Sequence, residues 1–312
     1  MIVCLAANPS IDKLFEIDRL VKGDIHRPQG FVQTAGGKGL NVARSAHVLG
    51  ADVTAVALLR GHAGRWLADQ LDAEGVPGAH VWTHGESRSS LSVADRETGS
   101  LTEFYEHGAV MPAAAWVELM HTVSVLFDGT GWLTISGSMP RGAPDDGYRD
   151  LVTEARSAGV RVAVDAEGQR LRLALDAGPD VVKVNQAEAR ELLGVPTARR
   201  EESLAAAQKL RDLAGGDGHA GLITRGAEGV VLAAPDGTLY EGALYVRGRY
   251  PVGSGDAFLA GLITRMDAGG DEQDALALAL GAATANAELP GAGKLDPARA
   301  EALASQAQVR IV

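Results

Sequence analysis

Short apolar runs alternate along this chain with amphipathic stretches that stop at a glycine, and the alternation recurs often enough to specify an architecture. In Leu151 to Asp165 a helix-period segment, LVTEARSA, ends at Gly159 and the strand-like VRVAVD follows at once. That is the order of a C-capping glycine and then a buried strand. Asn41 to Leu49 ends at Gly50 before DVTAVALL, and Gln186 to Leu193 ends at Gly194 before Pro196. Glu201 to Leu213 runs into a glycine-rich loop before Leu222 to Thr224. Strands that are apolar almost throughout must be covered on both faces, so the pattern predicts an α/β fold with a doubly wound, mostly parallel sheet.

Two segments break the pattern. Leu14 to Val32 and Ser89 to Tyr105 carry no helical period, and the second reads as a hairpin: LSVAD, a turn at Arg96 to Gly99, then SLTEFY with alternating side chains. They are expected to pair as a small separate sheet. Half-polar strands outside a parallel layer suit a lid or an oligomer contact, and equally a plain surface hairpin. No internal repeat, low-complexity tract or long linker divides residues 1–312, which predicts a single domain.

Charge narrows the partners. With 29 basic and 40 acidic residues the net charge is -11, and the mean field repels DNA, RNA or an anionic membrane surface. Any bound anion must be held locally. Lone Cys4 has no partner for an internal disulfide and reads as a small buried thiol, which fits a reducing, cytoplasmic setting. The apolar stretch Ile2 to Ala7 is too short for a signal core, and no run is long enough to span a bilayer.

The strongest local motif is Pro251-Val252-Gly253-Ser254-Gly255-Asp256-Ala257-Phe258, followed by the helix pattern LAGLITRM. Two glycines around a serine let successive N–H groups turn into one concavity at the positive end of a helix, an anion hole. Asp256 falls in the first turn, beside where a negative group would sit, placed to accept a proton from a hydroxyl attacking phosphorus. Taken alone, the same residues also describe an ordinary helix start with a favourable acid. In Ala35-Gly36-Gly37-Lys38-Gly39-Leu40-Asn41-Val42-Ala43, three glycines surround a lysine at a helix start, with Asn41 in the first turn. It is no Walker A loop, since Val32 stands where that motif needs glycine and Gly39 follows the lysine.

Gly216-Asp217-Gly218-His219-Ala220-Gly221 spells a dinucleotide fingerprint, but it follows a helix and precedes a strand, the reverse of the required order, and is expected to be a loop. Polar residues also end several apolar strands: Ser136-Gly137-Ser138, Lys183-Val184-Asn185 with Glu188 beyond, and Thr224-Arg225-Gly226-Ala227-Glu228-Gly229. Ligands of open α/β sheets bind outside the carboxyl ends of the strands, so these groups are expected to face one crevice with Gly253 to Asp256. The eight histidines are scattered, the closest pair, His80 and His84, having only Glu86 nearby, and no Gly-x-Ser-x-Gly elbow suggests acyl transfer.

Together these residues resemble the ribokinase-like (PfkB) carbohydrate kinases. Gly36 to Ala43 and Pro251 to Phe258 look like the family's two signatures, in its order and separation. Asn8-Pro9-Ser10-Ile11-Asp12, Ser136 to Pro140 and Ile223 to Gly226 look closest to the 1-phosphofructokinase and tagatose-6-phosphate kinase branch. The resemblance implies a ribokinase-like fold with a small β-sheet lid, here about 13–33 and 87–107, through which members often form homodimers. It implies Asp256 as catalytic base, with the amides of Gly253, Ser254 and Gly255 stabilising the transferring phosphoryl group. Lys183, Asn185, Thr224, Arg225, Gly226 and Gly229 would line the ATP site, and Asn185 with Glu188 would hold Mg2+ through water. Asp12, Gly37, Lys38, Asn41 and Ser136 would bind the sugar. A sugar-phosphate acceptor needs cations, for which Lys38, Arg88 and Arg27 are the candidates, Arg27 and Arg88 being also readable as solvated strand residues.

The chain departs from the branch on the acceptor side, with Tyr105 where many 1-phosphofructokinases have Asn and Ser87-Arg88-Ser89-Ser90 where they have a Thr-Arg pair followed shortly by Asn. The expected reaction is phosphorylation of D-fructose 1-phosphate to fructose 1,6-bisphosphate. Tagatose 6-phosphate, a neutral sugar or a nucleoside remain as acceptors, and a sensor that binds ATP and sugar phosphate without turnover is the non-enzyme alternative.

Overall fold

The computed structural model describes residues 1–312. The chain opens with β1 (Ile2–Ala6) and passes directly into β2 (Ser10–Ile17) and β3 (Gly30–Gly36). Then come α1 (Lys38–Val48), β4 (Val53–Arg60), α2 (Gly61–Ala73), β5 (Gly78–Thr83), β6 (Arg88–Asp95), β7 (Leu101–Tyr105) and α3 (Ala113–Ser124). The middle of the chain alternates β8 (Trp132–Ser136), α4 (Gly147–Ser157), β9 (Arg161–Asp165), α5 (Gly168–Leu175), β10 (Val181–Asn185), α6 (Gln186–Leu193) and α7 (Arg200–Leu213). It closes with β11 (Ala220–Thr224), β12 (Val230–Ala233), β13 (Leu239–Ala243), α8 (Ser254–Asp267), α9 (Glu272–Glu288), α10 (Pro297–Ala304) and β14 (Gln308–Ile311).

One sheet of ten strands runs in the order β14-β13-β12-β11-β10-β9-β8-β1-β4-β5. From β5 to β11 every neighbour is parallel. Alternate residues of the central strands feed two cores: Ile2, Cys4 and Ala6 pack with α1, α2, α8, α9 and α10, while Val3, Leu5 and Ala7 pack with α3 to α7. Cys4 lies in the first core, and burial pushes its thiol up to about 12. The expected doubly wound arrangement is therefore present. The antiparallel extension β11-β12-β13-β14 was not anticipated, because β12 and β13 are short and follow β11 through brief turns, while β14 returns to the sheet only after α8, α9 and α10. The Gly216–Gly221 segment is loop running into β11, as its position after a helix required.

The two segments without helical period form the second sheet, in the order β3-β2-β6-β7. Its outer pairs are antiparallel and the central β2–β6 pair is parallel. One transverse row on this sheet contains Thr34, Asp12, Ser90 and Tyr105, all paired in register. By pleat alternation they share a face, and that face also carries Arg88, whose register partner is Ser10.

Helix α1 lies so tightly on β1 that a side chain at Gly39 would land on the Leu5 carbonyl oxygen. The approach carries Lys38 and Asn41 over the strand ends. Substituting Gly39→Ala is expected to destabilise the protein by roughly 1–3 kcal/mol, the usual cost of overpacking, measured as a lower midpoint in urea unfolding.

Candidate active site

Strands β8, β9 and β10 end side by side, and their last residues are Ser136, Asp165 and Asn185, with Ser136 registered opposite Asp165. Asp165 is wholly buried. Its Oδ1 accepts from Lys38 Nζ at 2.9 Å and its Oδ2 accepts from Lys183 Nζ. Lys38 Nζ also lies 3.6 Å from Glu188 Oε1. Gly137 makes room for the lysine stem, since a side chain there would sit 3.2 Å from Lys38 Cβ. Burial is the largest influence on Asp165 and pushes its carboxyl up, but Lys183 and Lys38 together overcome it and hold the group at about 2. Asp165 in turn raises the Lys38 ammonium despite its desolvation.

Against this cluster stands the start of α8. Gly253 takes a left-handed conformation at φ 81°, packed 2.8 Å from Ala292 where a side chain would go. Ser254 N–H is committed to the Pro251 carbonyl at 3.1 Å, so Gly253 and Gly255 supply the free amides of the turn. A side chain at Gly255 would meet Lys183 Nζ at 3.3 Å, which sets that ammonium beside the turn. Asp256 is buried and its Oδ2 accepts from Asn41 Nδ2 at 2.8 Å. Burial first, and the nearby Asp165 charge second, push its carboxyl up to about 7 against the opposing effect of Lys38, Asn41 and Lys183. A carboxylate poised there can take a proton from an alcohol near neutral pH.

On the small-sheet side, Asp12 accepts from Ser10 Oγ and, at 3.1 Å, from Gly37 N–H. Its carboxyl is pushed up by burial. Its oxygens occupy the place a side chain at Gly36 would take. Arg88 donates from Nε to Asn8 O at 3.2 Å and from Nη1 to Ser90 Oγ at 3.1 Å. Tyr105 donates its hydroxyl to Glu103 Oε1 at 2.5 Å. A cavity of about 170 Å³ opens under this sheet between Asp12, Thr34 and Ser92 on one side and Tyr250, Val252 and Gly291 on the other. Tyr250 fastens its loop to the sheet, donating to Glu16 Oε1 at 2.8 Å.

On the opposite side Asn185 caps α6 reciprocally with Glu188: Glu188 N–H donates to Asn185 Oδ1 at 2.9 Å and Asn185 N–H to Glu188 Oε2 at 2.8 Å. Thr224 ends β11, and Arg225 is buried with Nη2 on Glu228 Oε2 at 2.6 Å. Gly226 and Gly229 both have positive φ, and a side chain at Gly229 would fall on the Gly242 carbonyl.

The structure thus gathers Lys38, Asn41, Lys183 and Asp256 around Asp165, with Asp12, Gly37 and Arg88 on one flank and Asn185 and Glu188 on the other. Ser136 Oγ is buried there without a hydrogen-bond partner. Arg27 is not brought in: it lies exposed in the connection between β2 and β3. Two important residues were missed in the sequence. Asp165 was visible only as the last residue of VRVAVD, a strand end in line with the others. Asn286, buried inside α9, donates to Val252 O at 2.9 Å and Ser254 Oγ at 3.3 Å and accepts from Gly293 N–H at 2.9 Å. Nothing in its local sequence marks it.

Comparison with known proteins bears on the family and the fold. A sequence model described as "pfkB family carbohydrate kinase" matches residues 6–299. The chain is 33% identical to a 1-phosphofructokinase of Haloferax volcanii, over 100% of this chain and 98% of that one. A protein of Thermotoga maritima described as a possible 1-phosphofructokinase superposes with a TM-score of 0.90 at 20% identity, covering 100% and 99% of the two chains. Escherichia coli phosphofructokinase-2 in complex with substrates and products gives 0.89 at 24%, covering 98% of each. These two structural likenesses speak to the fold.

Asp165 is the one acid that the buried Lys183 and the half-buried Lys38 share, so its charge offsets the desolvation of both. Replacing Asp165→Asn is expected to cost roughly 3–5 kcal/mol near pH 7, the penalty for stranding a buried partner. In the wild type, a carboxyl held at about 2 against an ordinary 3.8 contributes stability above pH 4 that is lost as pH falls toward 2. Urea unfolding of both proteins across that range measures the two effects together.

Proposed function

The chain belongs to the pfkB family of carbohydrate kinases and is an ATP-dependent sugar kinase, and on that premise we propose that it phosphorylates a ketohexose phosphate, converting D-fructose 1-phosphate to fructose 1,6-bisphosphate. The observation that carries the reading is Asp256: a buried carboxyl at about 7, held by Asn41, beside free amides at a helix N-terminus. The acceptor hydroxyl gives its proton to Asp256 as its oxygen attacks the γ-phosphorus of ATP, and the bond to ADP breaks. Gly253 and Gly255 N–H groups, with Lys183 beside them, stabilise charge on the phosphoryl oxygens.

Asp12, Gly37, Asn41 and Ser136 position the sugar, the unpartnered Ser136 hydroxyl being free to bond it. Lys38 and Arg88 supply the cations that a phosphorylated acceptor needs. Thr224, Arg225, Gly226 and Gly229 line the nucleotide side. Mg2+ is an ion held by one or two carboxylates with water and substrate phosphates. Glu188 Oε1, free of the helix cap, and Asn185 are the residues that would hold it through water. When bound, Mg2+ neutralises charge on the phosphates.

The small sheet acts as a lid that excludes water from the acceptor. Phe31 and Phe104 are exposed on it, which supports a homodimer formed through the lid. No helix is long and apolar enough to cross a membrane.

ADP release from Mg-ATP should be confined to fructose 1-phosphate in a panel that includes fructose 6-phosphate, tagatose 6-phosphate, fructose, ribose and adenosine. Preference for a neutral acceptor would contradict the sugar-phosphate reading, and silence with ATP still bound would favour a sensor. In the active protein Asp256→Asn should lower kcat by roughly 10²- to 10⁴-fold with ATP affinity retained. Unchanged turnover would remove Asp256 from the chemistry.

A further inference from the structure

Three arginines with no carboxylate partner converge on the segment His107 to Ala109. Arg60, the last residue of β4, donates from Nη1 to the Ala109 carbonyl at 2.5 Å. Arg141 donates from Nη2 to the Gly108 carbonyl at 2.8 Å, and its own carbonyl accepts from Met111 N–H at 2.7 Å. Arg88 runs beside the same segment: a side chain at Gly108 would stand 3.5 Å from both Arg88 Cβ and Asn8 Oδ1. Arg60 and Arg88 are held together through Ser87, which accepts from Arg60 N–H on its hydroxyl at 3.0 Å and donates its own N–H to the Arg60 carbonyl at 3.1 Å.

Arg60 is the telling member. It is only 4% exposed, and its Nε and Nη2 are buried with no hydrogen-bond partner. Carbonyl oxygens satisfy donors, but they do not neutralise charge, and a guanidinium taken out of water without a counter-charge is expensive. The acids whose charge reaches Arg88 are Asp12 and Glu106. Glu106 is occupied by Ser89 N–H at 2.8 Å, and Asp12 by Ser10 and Gly37. In a chain of net charge -11, a patch this poor in counter-ions is built for an anion that arrives from outside.

Its position says which anion. Asp256 bonds the Asn41 side chain, Asn41 N–H bonds the Gly37 carbonyl, Gly37 N–H bonds Asp12, and Asp12 is registered opposite Ser90, whose hydroxyl accepts from Arg88. A ligand with its reacting hydroxyl at Asp256 and its body along Asp12 therefore ends at Arg88. We propose that Arg60 and Arg141, together with the 107–109 segment they hold, form with Arg88 the seat for a phosphate monoester at the far end of the acceptor. Arg88 and Arg141 meet the phosphate oxygens, while Arg60 acts from behind by fixing the Ala109 carbonyl and adding its charge. This rests on the sugar-phosphate reading above and extends it to residues that reading leaves out.

Calorimetric titration of fructose 1-phosphate and, separately, of ATP into the wild type, Arg141→Ala and Arg60→Met tests the seat. Arg141→Ala is expected to weaken fructose 1-phosphate about tenfold or more, the loss of a charge-assisted contact, with ATP affinity kept. Arg60→Met should weaken it in the same direction. Unchanged sugar-phosphate affinity in Arg141→Ala, in a protein whose wild type turns over fructose 1-phosphate, overturns the seat and leaves the kinase reading standing. Equal weakening of ATP and sugar phosphate would mark the arginines as structural only and overturn it too. A wild type that binds no sugar phosphate removes both readings.

Discussion

Two lysines on one buried carboxylate form the interaction on which the rest of the site depends. Lys38 comes from the first glycine-rich segment, Lys183 from inside β10, and Asp165 from the end of β9. Neither lysine would sit at the floor of the crevice without that acid, because desolvation alone drives an ammonium toward neutrality. Asp165 remains ionised there only because both are present. The cluster fixes the sheet ends relative to α1 and places positive charge beneath the turn at Gly253 to Gly255.

The same cluster sets the character of Asp256. A second carboxyl buried near an ionised one is discouraged from ionising, while the lysines and Asn41 favour its charge. The outcome, about 7, is a compromise among these effects. It leaves Asp256 basic enough to accept a proton and still ionised in a useful fraction near neutral pH. Asn41 and Asp256 belong to different glycine-rich motifs, so the 2.8 Å bond between them is where the two halves of the active site are joined. Arg44 reinforces the join from inside α1, donating from Nη1 to Ala35 O at 3.1 Å and to Ala292 O at 2.9 Å.

Much of this was legible in the sequence, for physical reasons. Gly159, Gly50 and Gly194 ended helices because left-handed backbone at those positions is open to glycine, and each has positive φ. The half-polar strands of the second sheet declared themselves through alternation. The residues that escaped notice act by tertiary placement: Asp165 reads as one more strand end, Asn286 as a polar residue in a helix, and Arg60 as the close of an apolar run. The antiparallel edge β12–β14 escaped because β12 and β13 are short strands joined by a tight turn, without helical punctuation, and β14 comes back to the sheet from beyond three helices. Arg27 shows the reverse case, a basic residue in the expected segment that the connection leaves in solvent.

Proton transfer in this site depends on Asp256 being a carboxyl raised to about 7 by burial and by Asp165. Its titration can be followed directly through the carboxyl carbon shift of Asp256 in isotopically labelled, ligand-free protein, assigned by the loss of that signal in Asp256→Asn. A midpoint near 7 is the predicted result. A midpoint near 4, the value of an ordinary exposed carboxyl, would contradict the account, because the lysines and Asn41 would then dominate and Asp256 would lack the basicity assigned to it.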